Sequence, residues 1–409
     1  MKAWVQARVF FVVVLLLAVT GVSQVQGNDG LPGHGVPPVA MFTYAIEGAT
    51  VSFNASGSVA GDAPIVNYTW SFGDGATGYG MTTAHTYGQE GTYRVTLAVT
   101  DDDGRSNEST ASIMVDLAAP TTTLTSAPAR PNGQHGWWVT AVTITLAAKD
   151  DMSGVNATYY TINYATQQEY TGPFSLTGSG TYNVSYYSID NAGNREQRRS
   201  RTFRIDRHAP TSSYMIDGAA PTETGWYTSG VDLSLSASDD REGSGVDATM
   251  YRIIGKNRSF QQYGEPLNLT AEDTHVIQYY SRDVAGNAER LRNVTVPIDR
   301  TKPSISIDVP RTSYLYINGR EMLPLSMVNK AAVVIGSLTV QATAYDATAG
   351  VRNVSFSVDG ELRSIDNRTP YTWEWNENTA GAATLRVTAE DAAGHTASAE
   401  VSVVAFIRR

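Results

Sequence analysis

The sequence predicts an all-β chain of tandem β-sandwich domains in an elongated array. Three observations carry this. Apolar residues alternate with polar ones over short runs, as at Val95, Leu97 and Val99 or Val142, Ile144 and Leu146, which is the period of half-buried strands. Gly and Asp clusters punctuate those runs where turns are needed. A block of about 90 residues recurs, too long for a solenoid repeat and right for a sandwich.

The totals set the bounds. A chain of 409 residues allows about three or four domains. With 42% hydrophobic and 17% charged residues, it is neither disordered nor a membrane channel. The 22 Tyr favour strands. A net charge of −10 argues against nucleic acid, whose phosphates need clustered Lys and Arg. The Arg-rich stretch Arg195 to Arg207 is broken by Glu196 and Asp206 and reads as a solvated strand and linker. The absence of Cys excludes disulfides, thiolate-bound metals, thiol nucleophiles and a lipid-anchored N-terminus.

At the start, Lys2 and Arg8 precede an apolar run from Val9 to Val22, followed by Ser23 and Gly27. A positive segment, a short apolar core and small residues make a secretory signal peptide, predicted over 1–27 with a linker over 28–37. The run is shorter than the ~20 residues that span a bilayer. The alternative is that it stays as an uncleaved anchor. Ten Asn-x-Ser/Thr sites follow, at Asn54, Asn67, Asn107, Asn156, Asn183, Asn257, Asn268, Asn293, Asn353 and Asn367. Roughly four are expected by chance, so the excess points to N-glycosylation of an exported chain. The competing explanation is that Thr-rich strands create sequons by accident.

The first domain is expected over 38–117. Val66, Tyr68, Trp70 and Phe72 should share one buried strand face. Trp70-Ser-Phe-Gly-Asp-Gly75, His85-Thr-Tyr87, Gly91-Thr-Tyr93 and Val99-Thr-Asp-Asp-Asp-Gly104 follow in order. This constellation resembles the polycystic-kidney-disease (PKD) domain. The resemblance implies a seven-stranded immunoglobulin-like sandwich with Trp70 in its core and motifs that are structural. Gly73-Asp-Gly75-Ala-Thr-Gly78 also fits a dinucleotide-binding pattern, but no helical period follows to place amide N–H groups on a phosphate.

Three further domains are expected over 118–207, 208–300 and 301–409. Gly136-Trp-Trp138 corresponds to Gly225-Trp-Tyr227, and Asp150-Asp151 to Asp239-Asp240, each pair leading into Ser-Gly-Val. Asp190-Asn-Ala-Gly-Asn194 corresponds to Asp283-Val-Ala-Gly-Asn287, and each unit closes with Ile-Asp-Arg before a Pro. The last unit repeats the frame through Asp346, Ala349-Gly-Val351 and Asp391-Ala-Ala-Gly-His395. It carries Phe356-Ser-Val-Asp-Gly360, a hairpin signal, and an insertion near Arg311 to Lys330 of no clear period. These units are similar to bacterial and archaeal Ig-like domains of extracellular proteins. The short Pro-bearing junctions predict a semi-rigid rod.

Candidate sites follow from the repeats. Asp150, Asp151 and Asp190, then Asp239, Asp240 and Asp283, then Asp346 and Asp391, could converge at sandwich ends as oxygen ligands for Ca²⁺. The preferred reading is that each Asp caps its own turn. No other cofactor is expected. Trp138, Trp226 and Tyr227 are candidates for stacking on sugars or partners, since one ring of each adjacent aromatic pair should face outward. None of the six His lies in a metal motif, and no G-x-S-x-G elbow occurs. The expected function is therefore a non-catalytic structural or adhesion protein of the cell surface or medium, with other surface proteins or polysaccharide as partners. The alternative is a carbohydrate-binding accessory protein acting on polysaccharide or the cell envelope.

Overall fold

The computed structural model describes residues 35–325 and 330–408. The predicted signal peptide and residues 28–34 of the linker lie outside the described residues. The chain divides into two compact units between Asp206 and Arg207, with the tripeptide Gly133–His135 counted in the second. Each unit holds two sandwiches. Among the described residues no helix is long and apolar enough to cross a membrane.

The first sandwich has seven strands: β1 (Thr43–Glu47), β2 (Thr50–Asn54), β3 (Ile65–Ser71), β4 (Thr77–Tyr79), β5 (Thr82–Thr86), β6 (Gly91–Asp101) and β7 (Ser106–Val115). One sheet runs β1-β2-β5 and the other β4-β3-β6-β7. Trp70 is fully buried between the sheets, its ring 5.1 Å from Phe42 and 5.3 Å from Phe53. Its indole Nε1 donates to the Gly80 carbonyl at 2.9 Å, so the polar end of the ring is satisfied. Val66, expected inside, is 59% exposed. A β-bulge between Ile65 and Asn67 resets the alternation, and Ile65 packs on the core instead. Gly73 to Ala76 lie in the turn between β3 and β4, and Gly78 lies within β4, so no helix starts there. Gly73 has φ 83°, and a Cβ there would lie 2.7 Å from the Arg94 carbonyl oxygen, so only glycine fits.

The second and third sandwiches repeat one topology. The second contains β8 (Thr121–Ala127), β9 (Val142–Lys149), β10 (Val155–Ile162), β11 (Gln168–Glu169), β12 (Phe174–Leu176), β13 (Gly180–Asp190) and β14 (Arg199–Ile205). The third contains β15 (Thr211–Asp217), β16 (Val231–Ser238), β17 (Val246–Ile253), β18 (Gln261–Gln262), β19 (Leu267–Leu269), β20 (Asp273–Asp283) and β21 (Arg292–Ile298). Sheets β12-β9-β8 and β11-β10-β13-β14 correspond to β15-β16-β19 and β18-β17-β20-β21.

Each of these two sandwiches buries a carboxylate within hydroxyls. Glu196 accepts the amides of Thr122 at 3.1 Å and Ser188 at 2.8 Å, together with the Thr122 hydroxyl. The Ser188 hydroxyl bonds Thr122 Oγ1 at 2.6 Å and Thr158 Oγ1 at 2.8 Å. Glu289, Ser212, Ser281 and Thr249 form the same network in the third sandwich. The reason lies in strand length. Strand β14 begins opposite Tyr186 and β21 opposite Tyr279, so Ser188 and Ser281 lie beyond those ladders and Glu supplies their missing acceptor.

The fourth sandwich contains β22 (Ser304–Val309), β23 (Tyr314–Ile317), β24 (Arg320–Pro324), β25 (Ala332–Ile335), β26 (Leu338–Tyr345), β27 (Val351–Val358), β28 (Glu361–Asp366), β29 (Tyr371–Trp375), β30 (Thr379–Asp391) and β31 (Thr396–Ile407). Here β31 pairs with β30 as far as Glu390↔Thr396, so the ladder itself reaches the turn. The polar network is gone as a set: Ile305, Val354, Ala389 and Ala397 occupy the positions of Thr122, Thr158, Ser188 and Glu196. A polar cluster is kept whole or removed whole, since a half-satisfied one is costly. The predicted Asp359-Gly360 hairpin joins β27 to β28. The inserted segment, for which the sequence showed no period, forms the β23–β24 hairpin. Its Asn318-Gly319 turn has both φ values positive, the geometry that fits strand twist.

Tyr87 yields a pH prediction. Its hydroxyl is buried and donates to the Phe72 carbonyl at 3.0 Å. Burial, with the nearby Asp74 charge, pushes its pKa well up. A raised pKa here favours the protonated folded state. The stabilisation is complete below the unfolded value of about 10 and is lost as pH rises from there towards the folded value. Tyr87→Phe is expected to cost about 1 kcal/mol at pH 7 and to flatten the loss of first-sandwich stability above pH 10. Hydrogen exchange of the β6 amides at both pH values is the check, and an unchanged slope would refute the assignment.

Candidate functional site

The repeated carboxylates act first on their own turns. Asp150 Oδ1 accepts the amides of Met152 at 3.1 Å and Gly154 at 2.7 Å. Asp346 Oδ1 accepts those of Thr348 at 3.1 Å and Gly350 at 2.8 Å, and Asp239 Oδ2 that of Gly245 at 2.8 Å. At the other turn, Oδ1 of Asp190, Asp283 and Asp391 accepts the amide four residues on, at 2.7, 2.8 and 2.9 Å. These turns tie the strand ends β9–β10 and β13–β14, and their counterparts, to one end of each sandwich.

Within single units, two sets of donor atoms then converge. One carboxylate oxygen each from Asp116, Asp150 and Asp190 lies within 4.8 Å of the others. The same holds for Asp299, Asp391 and a ring nitrogen of His395. Asp151 and Asp240 do not join their neighbours, which corrects the paired-carboxylate expectation. Asp151 is a surface partner of Lys149 at 2.5 Å, and Asp240 pairs with His208. Adjacent residues leaving a strand point apart, so only one of each pair can face the sandwich end.

The sequence reading missed Asp116 and Asp299. Asp116 Oδ2 accepts the Ser153 amide at 3.0 Å, and Asn194 Nδ2 donates to the Asp116 carbonyl at 3.0 Å. The signal was present: in both cases Asp directly follows the last buried strand residue, Val115 or Ile298, and precedes a Pro-bearing junction. A charged residue there is buried only if something binds it.

The aromatic candidates require correction too. Trp138 is 4% and Tyr227 9% exposed, so neither offers a stacking face. Backbone geometry turns them inward. The Trp138 amide donates to the Arg204 carbonyl at 2.8 Å, and the Tyr227 amide to the Pro297 carbonyl at 2.9 Å, each forming a parallel bridge to the last strand of its sandwich. Trp226 remains half-buried, and Trp137 lies 5.7 Å beneath the Arg204 guanidinium. Tyr186 and Tyr187 are both buried, although they alternate, because Arg195 covers the outward ring at 3.8 Å.

Among the sequons, Asn54, Asn67, Asn156, Asn268, Asn293 and Asn367 are exposed. Asn107, Asn183, Asn257 and Asn353 are half-buried and hydrogen-bonded through their side chains. In the first sandwich, His85 Nε2 lies 2.6 Å from Asp74 and the His85 ring stacks 4.3 Å from Phe72. Burial opposes the Asp74 charge, but the bonds from His85 and the Ala76 amide outweigh it and hold the carboxyl below its ordinary range. That pair locks the β3–β4 turn.

Comparison with known proteins places these observations. Residues 35–116 match the family model of the PKD domain, and residues 328–401 that of a bacterial Ig domain. The chain is 40% identical over 65 residues to Collagenase ColQ1 of Bacillus cereus (strain Q1), covering 16% of this chain and 7% of that protein. It is 40% identical over 81 residues to the pre-pro-metalloprotease PrtV of Vibrio cholerae, covering 20% and 9% respectively. The chain therefore spans less than a tenth of the length of these relatives. The crystal structure of the PKD1 domain of PrtV is 40% identical, covers 20% of this chain and 99% of that domain, and has a TM-score of 0.19.

Proposed function

Residues 35–116 belong to the PKD domain family and residues 328–401 to the bacterial Ig domain family, and from this we propose that the chain is an exported, non-catalytic structural or adhesion protein. It works at the cell surface or in the medium, spaces its modules, and presents loops and sheet faces to other surface proteins or polysaccharide. The observation that carries this reading is the use of the repeated carboxylates. The same Asp positions recur, and at each of them one carboxylate oxygen is spent on a backbone amide that rigidifies a turn. An acid or base for hydrolysis has to reach a substrate proton instead.

The purified chain, incubated with collagen and casein, is expected to release no peptides. Peptide release that persists through repurification, whether or not a metal chelator stops it, would overturn the reading. The alternative, carbohydrate binding by an accessory protein, draws on the half-buried Trp226. If it holds, a polysaccharide retards the chain in affinity electrophoresis and Trp226→Ala removes the retardation. Expression in a host that glycosylates exported Asn is expected to modify the six exposed sequons in preference to the four half-buried ones. Peptide mass spectrometry reads the occupancy, and equal occupancy of both groups would contradict the ranking.

A further inference from the structure

The same five-residue turn ends β13, β20 and β30, and its last residue differs. Asn194 Nδ2 donates to Asp190 Oδ2 at 2.8 Å, and Asn287 Nδ2 to Asp283 Oδ2 at 2.8 Å. The amide gives the outer oxygen of a buried carboxylate its proton donor. In the fourth sandwich His395 stands in that place. Its backbone amide still bonds Asp391 Oδ1, so the turn is preserved. Its ring, however, sets Nδ1 3.3 Å from Asp391 Oδ2 without hydrogen-bond alignment.

Three donor atoms are thereby left over together. Asp391 Oδ2, Asp299 Oδ2 and His395 Nδ1 are buried and take no hydrogen bond. Asp299 and Asp391 are both 0% exposed. Thr301 holds Asp299 Oδ1 through its amide at 3.1 Å and its hydroxyl at 3.2 Å, leaving Oδ2 for the cluster. Two buried carboxylates with bare oxygens need a positive partner.

We propose that Asp299, Asp391 and His395 form a divalent-metal site of mixed carboxylate–imidazole type, suited to Zn²⁺. Zinc takes carboxylate oxygen and imidazole nitrogen together and fills the remainder with water. Calcium takes oxygen ligands only, so His395 selects against it. The Asp116, Asp150 and Asp190 cluster differs, because Asn194 and backbone amides already engage the Asp116 and Asp190 oxygens. In the fourth sandwich the ion joins the segment after β21, through Asp299, to the β30–β31 turn, through Asp391 and His395. This site stands independently of the adhesion reading.

The test uses the full chain stripped with chelator, then given Zn²⁺ alone or Ca²⁺ alone, followed by calorimetry and isothermal titration. Zn²⁺ is expected to raise one thermal transition by about 5 °C at saturating metal, and Ca²⁺ to raise it less. Asp299→Asn is expected to abolish the zinc shift. Should that chain fail to fold, His395→Asn decides. It restores the donor found in the sister turns, so the metal-free chain should melt higher than the parent and lose both the zinc shift and one titrated site. No zinc shift in the parent, an equal shift in His395→Asn, or a calcium shift as large as that of zinc would each overturn the assignment.

Discussion

Glu196→Ala is expected to destabilise the second sandwich by about 3 kcal/mol or more, the cost of leaving buried donors unmatched. The carboxylate is the acceptor for two backbone amides, of Thr122 and Ser188, and for the Thr122 hydroxyl. Removing it leaves Ser188 beyond the end of the β13–β14 ladder with no strand to replace the lost partner. Glu196→Gln keeps an acceptor for one amide and should lose less, about 1–2 kcal/mol. Converting the whole set to the residues of the fourth sandwich (Thr122→Ile, Thr158→Val, Ser188→Ala with Glu196→Ala) should not restore stability. The fourth sandwich can be apolar there because β31 extends to Thr396, whereas β14 starts only at Arg199. Hydrogen exchange of the β10 and β13 amides in the full chain measures the loss. Full rescue by the apolar set would show that the ladder argument is wrong.

Trp70→Ala is expected to cost the first sandwich about 3–5 kcal/mol, the range for emptying a fully buried aromatic site. Phe42 and Phe53 flank the ring and lose contacts on both sides, and the Gly80 carbonyl loses its indole donor. Against a typical domain stability of about 5–15 kcal/mol, a loss of that size can leave the sandwich partly unfolded at 37 °C. Trp70→Phe should recover much of the packing but not the bond to Gly80. The core of the second sandwich, built on Trp138, Ile144, Val184, Phe203 and Ile205, is a separate cluster and should keep its protection. Limited proteolysis with peptide mapping distinguishes the cases. Cleavage spread equally over both sandwiches would argue against independent cores.

Much of this was legible beforehand because it is local. Period-2 stripes, Asp-Gly turns and the 90-residue recurrence depend on neighbours in the chain, and they led to the strands, the PKD motifs and the turn-capping role of Asp150, Asp190 and Asp346. The Asn318-Gly319 hairpin is equally local, but no alternation around it marks the strands: β24 is exposed along its whole length.

By itself, then, the sequence determined the all-β class, the repeat and which residues turn the chain. Tertiary structure alone decided which side of a strand each group ends on and what meets across the sandwich. A bulge at Ile65 sends Val66 outward, a parallel bridge sends Trp138 inward, and strand length decides whether Glu196 or a backbone carbonyl pairs with residue 188. The convergence of Asp299 with Asp391 and His395 belongs to the same class. These are contacts between positions far apart in the chain, and periodicity records only the spacing of near ones.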